Sequence, residues 1–101
     1  MEVRMAIAML VEIPGLTQEQ YEQAAQQVNQ AGPALGGALI HGAGPMEGGG
    51  CRVVEVWETQ EAADAFYNSD FFRQIAAEMP QPKITRWPLY ALGGNGLSHG
   101  R

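Results

Sequence analysis

From Val3 to Ile13 the chain is almost unbroken Val, Ile, Met, Ala and Leu, with charge only at Arg4 and Glu12. A continuous apolar run of this kind, with little alternation, predicts a strand covered on both faces. "IPGLT" breaks it. Thr17 stands as a helix N-cap with Gln20 three residues on, which completes a capping box, and Leu16 and Tyr21 occupy the two positions of a hydrophobic staple. In "TQEQYEQAAQQVNQA" the pattern changes to a helical one: Tyr21, Ala24, Ala25 and Val28 fall on one stripe, with Glu and Gln opposite. Gly32 and Pro33 end this helix.

A second strand is predicted over Leu35 to Gly42, weakened by Gly36 and Gly37. "AGPMEGGG" reads as the turn, and Cys51 to Glu58 as the returning strand of a hairpin. Thr59 caps a second helix, in which Ala62, Ala63, Phe66 and Tyr67 are apolar, and "NSD" at Asn68 to Asp70 reads as a break or re-cap. Beyond it Phe72, Ile75, Ala76 and Met79 keep helical spacing until Pro80 and Pro82. Lys83 to Leu92 is the last strand, and Pro88 places it at an edge or a bulge.

The element order is β-α-β-β-α-β, the split-βαβ, ferredoxin-like pattern of an α+β domain. It predicts one antiparallel sheet with both helices on one face. The first strand is apolar on both sides, so the other face needs a cover, and a second copy of the chain supplies one. The expected particle is a homodimer, a dimeric α/β barrel. Residues 1–92 form the single domain, and 93–101, "GGNGLSHGR" with its last apolar anchor at Leu97, form a flexible tail.

Composition narrows the function classes. The 101 residues carry six Lys and Arg against eleven Asp and Glu, a net charge of −5. There is no basic cluster, so the electrostatic footprint of nucleic-acid binding is missing. An anionic membrane surface is disfavoured for the same reason. No apolar run approaches the roughly 20 residues of a membrane span. One cysteine, Cys51, forms no internal disulfide, which fits a reducing, cytoplasmic setting. One Cys and two His without clustered spacing do not make a structural metal pattern.

"GALIHG", a glycine turn and then "RVVEVWETQEAADAF" resemble the dimeric α/β-barrel superfamily, in particular the antibiotic-biosynthesis-monooxygenase-like domains. There, a strand ending in V-W-E-S/T runs directly into an E-A-F-type helix. The closing "WPLY" is similar to a last strand that often reads W/H-P-V-H in that superfamily. The resemblance covers residues 3–92 in element order. It implies a small-molecule enzyme that works without metal, haem or flavin on an apolar aromatic or polycyclic, polyketide-like substrate. Monooxygenation, cyclisation and isomerisation are the reactions it brings, and a non-catalytic ligand-binding or dimerisation domain is the alternative. The haem-degrading branch shares the frame of "WETQEAADAF…SDFF", but its pocket tryptophan falls at Phe66 and its iron-ligating histidine at Ala76. Its first-strand asparagine has no counterpart before Asn29. In the closing strand the usual His falls at Tyr90 and the following Asn at Ala91.

Four residues carry candidate chemistry. His41 is the one in-domain group whose ordinary pKa lies near neutrality, so it is the first candidate acid or base; a hairpin-end histidine bonded to backbone is the structural reading. Glu55 shares a strand face with Val53 and Trp57. It is a proton shuttle, one half of an ion pair with Arg86 or Arg4, or a group hydrogen-bonded across the dimer. Tyr67 and Tyr90 offer hydroxyls to orient a phenol or carbonyl oxygen. Trp57, Phe66 and Trp87 are the expected walls of a substrate pocket, although core packing is the commoner role of such side chains. Cys51 has no cationic neighbour in sequence and is not a candidate nucleophile. An open cavity reached by His41 or Glu55 separates the enzyme from the non-catalytic alternative, in which side chains fill it.

Overall fold

Period-two alternation on the first strand sets the layers of the molecule. The computed structural model describes residues 5–31 and 37–93. In β1 (Ile7–Pro14), Ile7, Met9, Val11 and Ile13 join the main core beneath the helices. Ala8, Leu10 and Glu12 therefore face the other side of the sheet. α1 (Gln18–Ala31) opens on the capping box expected at Thr17. The Gln20 N–H donates to Thr17 Oγ1 at 3.1 Å, and the Thr17 N–H donates to Gln20 Oε1 at 2.9 Å.

β2 (Ala38–Pro45) and β3 (Gly50–Trp57) form the hairpin. Its turn lies at Met46–Gly49, shorter and later than the glycine-rich stretch predicted. Gly50 is required where the strand restarts: its φ is +125°, and a Cβ there would stand 2.7 Å from the Ile13 carbonyl oxygen. The predicted start of β2 at Leu35–Gly36, and the Gly32–Pro33 stop, lie outside the described residues, as does the tail from 94 onward with His99.

The second helix is two short ones. α2 (Gln60–Tyr67) starts at Thr59, whose Oγ1 accepts the Ala62 N–H at 3.1 Å. α3 (Asp70–Ala76) restarts at Ser69, whose Oγ accepts the Phe72 N–H at 3.1 Å. "NSD" is thus a re-cap. β4 (Lys83–Pro88) is the last strand.

The sheet order is β2-β3-β1-β4, with every neighbouring pair antiparallel. This is the ferredoxin-like α+β fold. Pro88 sits on an edge strand, where its missing N–H costs no ladder bond. One face carries the helices. The other is open and apolar at its centre, with Val54 48% exposed and Trp87 46% exposed.

Candidate active site

β3 presents Val53, Glu55 and Trp57 to the helix layer. β2 pairs His41 opposite Glu55, so both point to the same side. The Glu55 carboxylate, 7% exposed, accepts three donors. Trp57 Nε1–H reaches Oε1 at 2.8 Å, and the Tyr67 hydroxyl, at the end of α2, reaches the same oxygen at 2.7 Å. His41 Nδ1 lies 3.2 Å from Oε2. On the far side of the ring, Nε2 lies 2.6 Å from the Tyr21 hydroxyl of α1. The Tyr21 and His41 rings lie nearly parallel, 18° apart.

Desolvation raises the Glu55 carboxyl, but hydrogen bonds from His41, Trp57 and Tyr67 and the charge of His41 outweigh it. The group titrates below its ordinary value and is ionised at neutral pH. Burial first, then the Glu55 charge and hydrogen bond, push the Tyr67 phenol far up, so Tyr67 stays a donor. A carboxylate can only accept. Nδ1 therefore carries the imidazole proton in neutral His41, and Nε2 holds the lone pair that receives the Tyr21 O–H.

The group borders a cavity of about 290 Å³ between sheet and helices. Its walls are apolar, among them Val11, Val28, Trp57, Phe66 and Ile75, and no Lys or Arg among the described residues lines it. Trp57 and Phe66 pack with ring centroids 5.6 Å apart, and Phe72 stands edge-on to Tyr67 at 4.7 Å, so the Tyr67 hydroxyl is held from behind. Among the described residues no buried side-chain polar atom lacks a partner, and no three His, Cys, Asp or Glu gather to hold a metal ion.

Of the seven residues nominated from sequence, His41, Glu55, Tyr67, Trp57 and Phe66 meet at this cavity. Trp87 does not: it pairs with Ala8 on the open face of the sheet, away from the helices. Tyr90 lies beyond the end of β4, fully exposed at 103%, and touches no part of the cavity. Neither expectation holds, because the parity of β4 against β1 turns Trp87 outward and the strand ends at Pro88. Of the two arginines expected to pair with Glu55, Arg86 donates instead to Asp64 Oδ1 at 2.8 Å, and Arg4 lies outside the described residues. Cys51 is buried and unpaired, its thiol pushed up by burial against a weaker opposing hydrogen bond from the Gly44 backbone. Sequence spacing gives Tyr21 a place in the core stripe and the staple, and misses its place in the site. The available signal is its position in the first turn of a helix that crosses the sheet next to His41.

No protein-family model and no curated protein matches the sequence. Solved structures do match its shape. A provisionally assigned antibiotic biosynthesis monooxygenase from Caulobacter crescentus superposes with a TM-score of 0.69 at 14% identity, over 85% of this chain and 91% of that one. A dimeric ferredoxin-like protein of unknown function from Thermobifida fusca gives 0.63 at 17%, over 85% and 92%. The hydroxynitrile lyase of Passiflora edulis gives 0.64 at 10%, over 91% and 100%. At these identities the likeness is one of fold. The chain is a ferredoxin-like α+β domain of the same architecture as these proteins, and a shared fold does not by itself assign a function.

Proposed function

We propose that this protein is an enzyme that moves protons on a neutral, apolar, aromatic-type small molecule, without a metal or organic cofactor. The observation that carries the reading is the His41–Glu55 pair at the edge of the apolar cavity. Glu55 holds the imidazole in the tautomer with an unprotonated Nε2 and stabilises the imidazolium formed when that nitrogen takes a proton. This positioned base, in a site from which the substrate displaces water, is the equipment of general acid–base catalysis, worth about 10²–10⁴ in rate.

Cavity and charge narrow the substrate. An apolar cavity of about 150 Å³ holds one benzene, so about 290 Å³ suits one or two rings better than a polycycle. The ionised Glu55, with no Lys or Arg in the described lining, works against a carboxylate or phosphate ligand. An enolisable ketone or a phenol fits. Deprotonation of such a molecule begins cyclisation and isomerisation alike. It also begins oxygenation, when the carbanion is electron-rich enough to react with oxygen. An open cavity reached by both residues favours this reading over a domain kept only for binding or assembly.

The protein acts as a homodimer in this proposal. Leu10, Val54 and Trp87 form an apolar centre on the open sheet face, and the Thermobifida relative of the same fold is dimeric. No described helix is long and apolar enough to cross a membrane. The single unpaired cysteine supports a reducing compartment, the cytoplasm.

The test is incubation with 2-tetralone and with dihydroxynaphthalenes, in air and under nitrogen, followed by chromatography and by deuterium uptake in D₂O. No turnover and no exchange in either atmosphere sinks the proposal. Reaction in air alone selects oxygenation; reaction under nitrogen selects isomerisation or cyclisation. His41→Ala lowers the rate by about 10²-fold or more.

A further inference from the structure

We infer that Tyr21, and not His41, is the group that exchanges the proton with the substrate, and that His41 and Glu55 stand behind it as one relay. The inference rests on the proton-transfer reading above and assigns the order of its parts. Its basis is geometric. The one lone pair of the His41 ring is at Nε2, because Nδ1–H is committed to Glu55 Oε2 at 3.2 Å. That lone pair is already covered by the Tyr21 hydroxyl at 2.6 Å. Tyr21 lines the cavity together with His41 and Glu55. A substrate in the cavity therefore reaches Nε2 only by displacing Tyr21 or by passing its proton through the phenol oxygen.

The second course leaves every existing bond in place. The substrate C–H bond breaks, and its electron pair stays on the substrate as an enolate. The proton goes to Tyr21 Oη as the proton that Oη carried moves to His41 Nε2. His41 becomes an imidazolium against the Glu55 carboxylate, and Tyr21 is neutral before and after. Reversal at a different substrate carbon completes an isomerisation, and no oxidant or reductant is consumed. A standing phenolate is not needed. Burial, with Cys51 and Glu55 adding electrostatically, raises the Tyr21 phenol above its ordinary value and makes that state costly. The His41 side chain is 48% exposed, so the imidazole at the middle of the relay trades protons with water.

The experiment is deuterium exchange at C1 of 2-tetralone in D₂O under nitrogen, followed by NMR for wild type, Tyr21→Phe and His41→Ala. Nitrogen-15 shifts of the His41 ring, recorded on wild type and Tyr21→Phe, report folding and tautomer independently of turnover. The relay gives a wild-type Nε2 that is unprotonated and hydrogen-bonded, a shift of that signal in Tyr21→Phe with Nδ1 unchanged, and an exchange rate about 10²-fold or more lower in both variants. If Nε2 itself carries the proton in neutral wild type, the order is wrong. Wild-type exchange that persists or rises in Tyr21→Phe makes His41 the direct base; it overturns this inference and leaves the proposed function standing. A loss in Tyr21→Phe with none in His41→Ala removes His41 from the path and also overturns it. Absence of exchange in wild type overturns both.

Discussion

Replacing Glu55 by glutamine tests the electrostatic centre of the site without changing its shape. The native carboxylate accepts from Trp57 and Tyr67 at Oε1 and from His41 at Oε2. In Glu55→Gln the side-chain amide keeps an oxygen for the first two but turns an NH₂ toward the Nδ1–H of His41. Two donors then face each other unless the ring moves its proton to Nε2, which occupies the lone pair offered to Tyr21. Hydrogen bonds to a charged group contribute about 1.5–3 kcal/mol and neutral ones about 0.5–1.5. Neutralising three bonds therefore loses roughly 3 kcal/mol, and relief of the desolvated charge returns part of it; a net loss of about 2 kcal/mol follows. For a domain of this size that lowers Tm by roughly 8–16 °C. The loss depends on pH with a definite sign. The Glu55 pKa is lowered by folding, so its contribution is complete above the unfolded value of about 4.5 and disappears as pH falls through the folded one. Urea unfolding of both proteins from pH 7 to pH 3 should show a gap of about 2 kcal/mol at neutrality that closes below about pH 4.5. A gap that stays constant to pH 3, or one under about 0.5 kcal/mol at pH 7, refutes the reasoning.

Other outcomes follow from the same contacts. Tyr67→Phe removes one of two donors to Oε1 and should cost about 1–2 kcal/mol by chemical denaturation, with the Trp57 indole N–H signal shifted in NMR. Thr59→Ala deletes the α2 cap and should cost about 1 kcal/mol, while Thr59→Ser should restore most of it. Gly50→Ala places a methyl against the Ile13 carbonyl at a positive φ and should cost about 1–3 kcal/mol in the same assay. Val54→Lys, on the open face, should convert a dimer to a monomer in analytical ultracentrifugation with the monomer's circular dichroism unchanged. A wild type that sediments as a monomer at all concentrations would remove the dimer from the proposal.

Much of the fold was legible because it is written in local chemistry. Apolar runs bounded by Gly and Pro located the four strands, helical spacing located the helices, and the caps at Thr17 and Thr59 and the "NSD" re-cap located helix starts, since these features depend on residues close together in the chain. The same parity placed Glu55 and Trp57 on one face, and their hydrogen bond is local. The partner of Glu55 was a matter of register. Counting four residues along each strand, away from the turn, from the Pro45–Cys51 pair reaches His41 and Glu55. Reading the turn as the whole of "AGPMEGGG" misplaces that pair, because a one-residue slip sends a strand's side chains to the opposite face.

What tertiary structure alone decided is which distant groups meet. Tyr21 is twenty residues from His41 in sequence, and its apolar ring belongs on the α1 stripe whether or not its hydroxyl has a partner. Trp87 and Tyr90 have the composition of pocket walls, yet pairing with Ala8 sends the first to the open face and the end of β4 leaves the second in solvent. Hydrophobic patterning acts on each segment separately, so it determines that a side chain is buried or half-buried. Which polar atom stands at its end depends on how helix and sheet are docked, and that docking is a property of all the segments together.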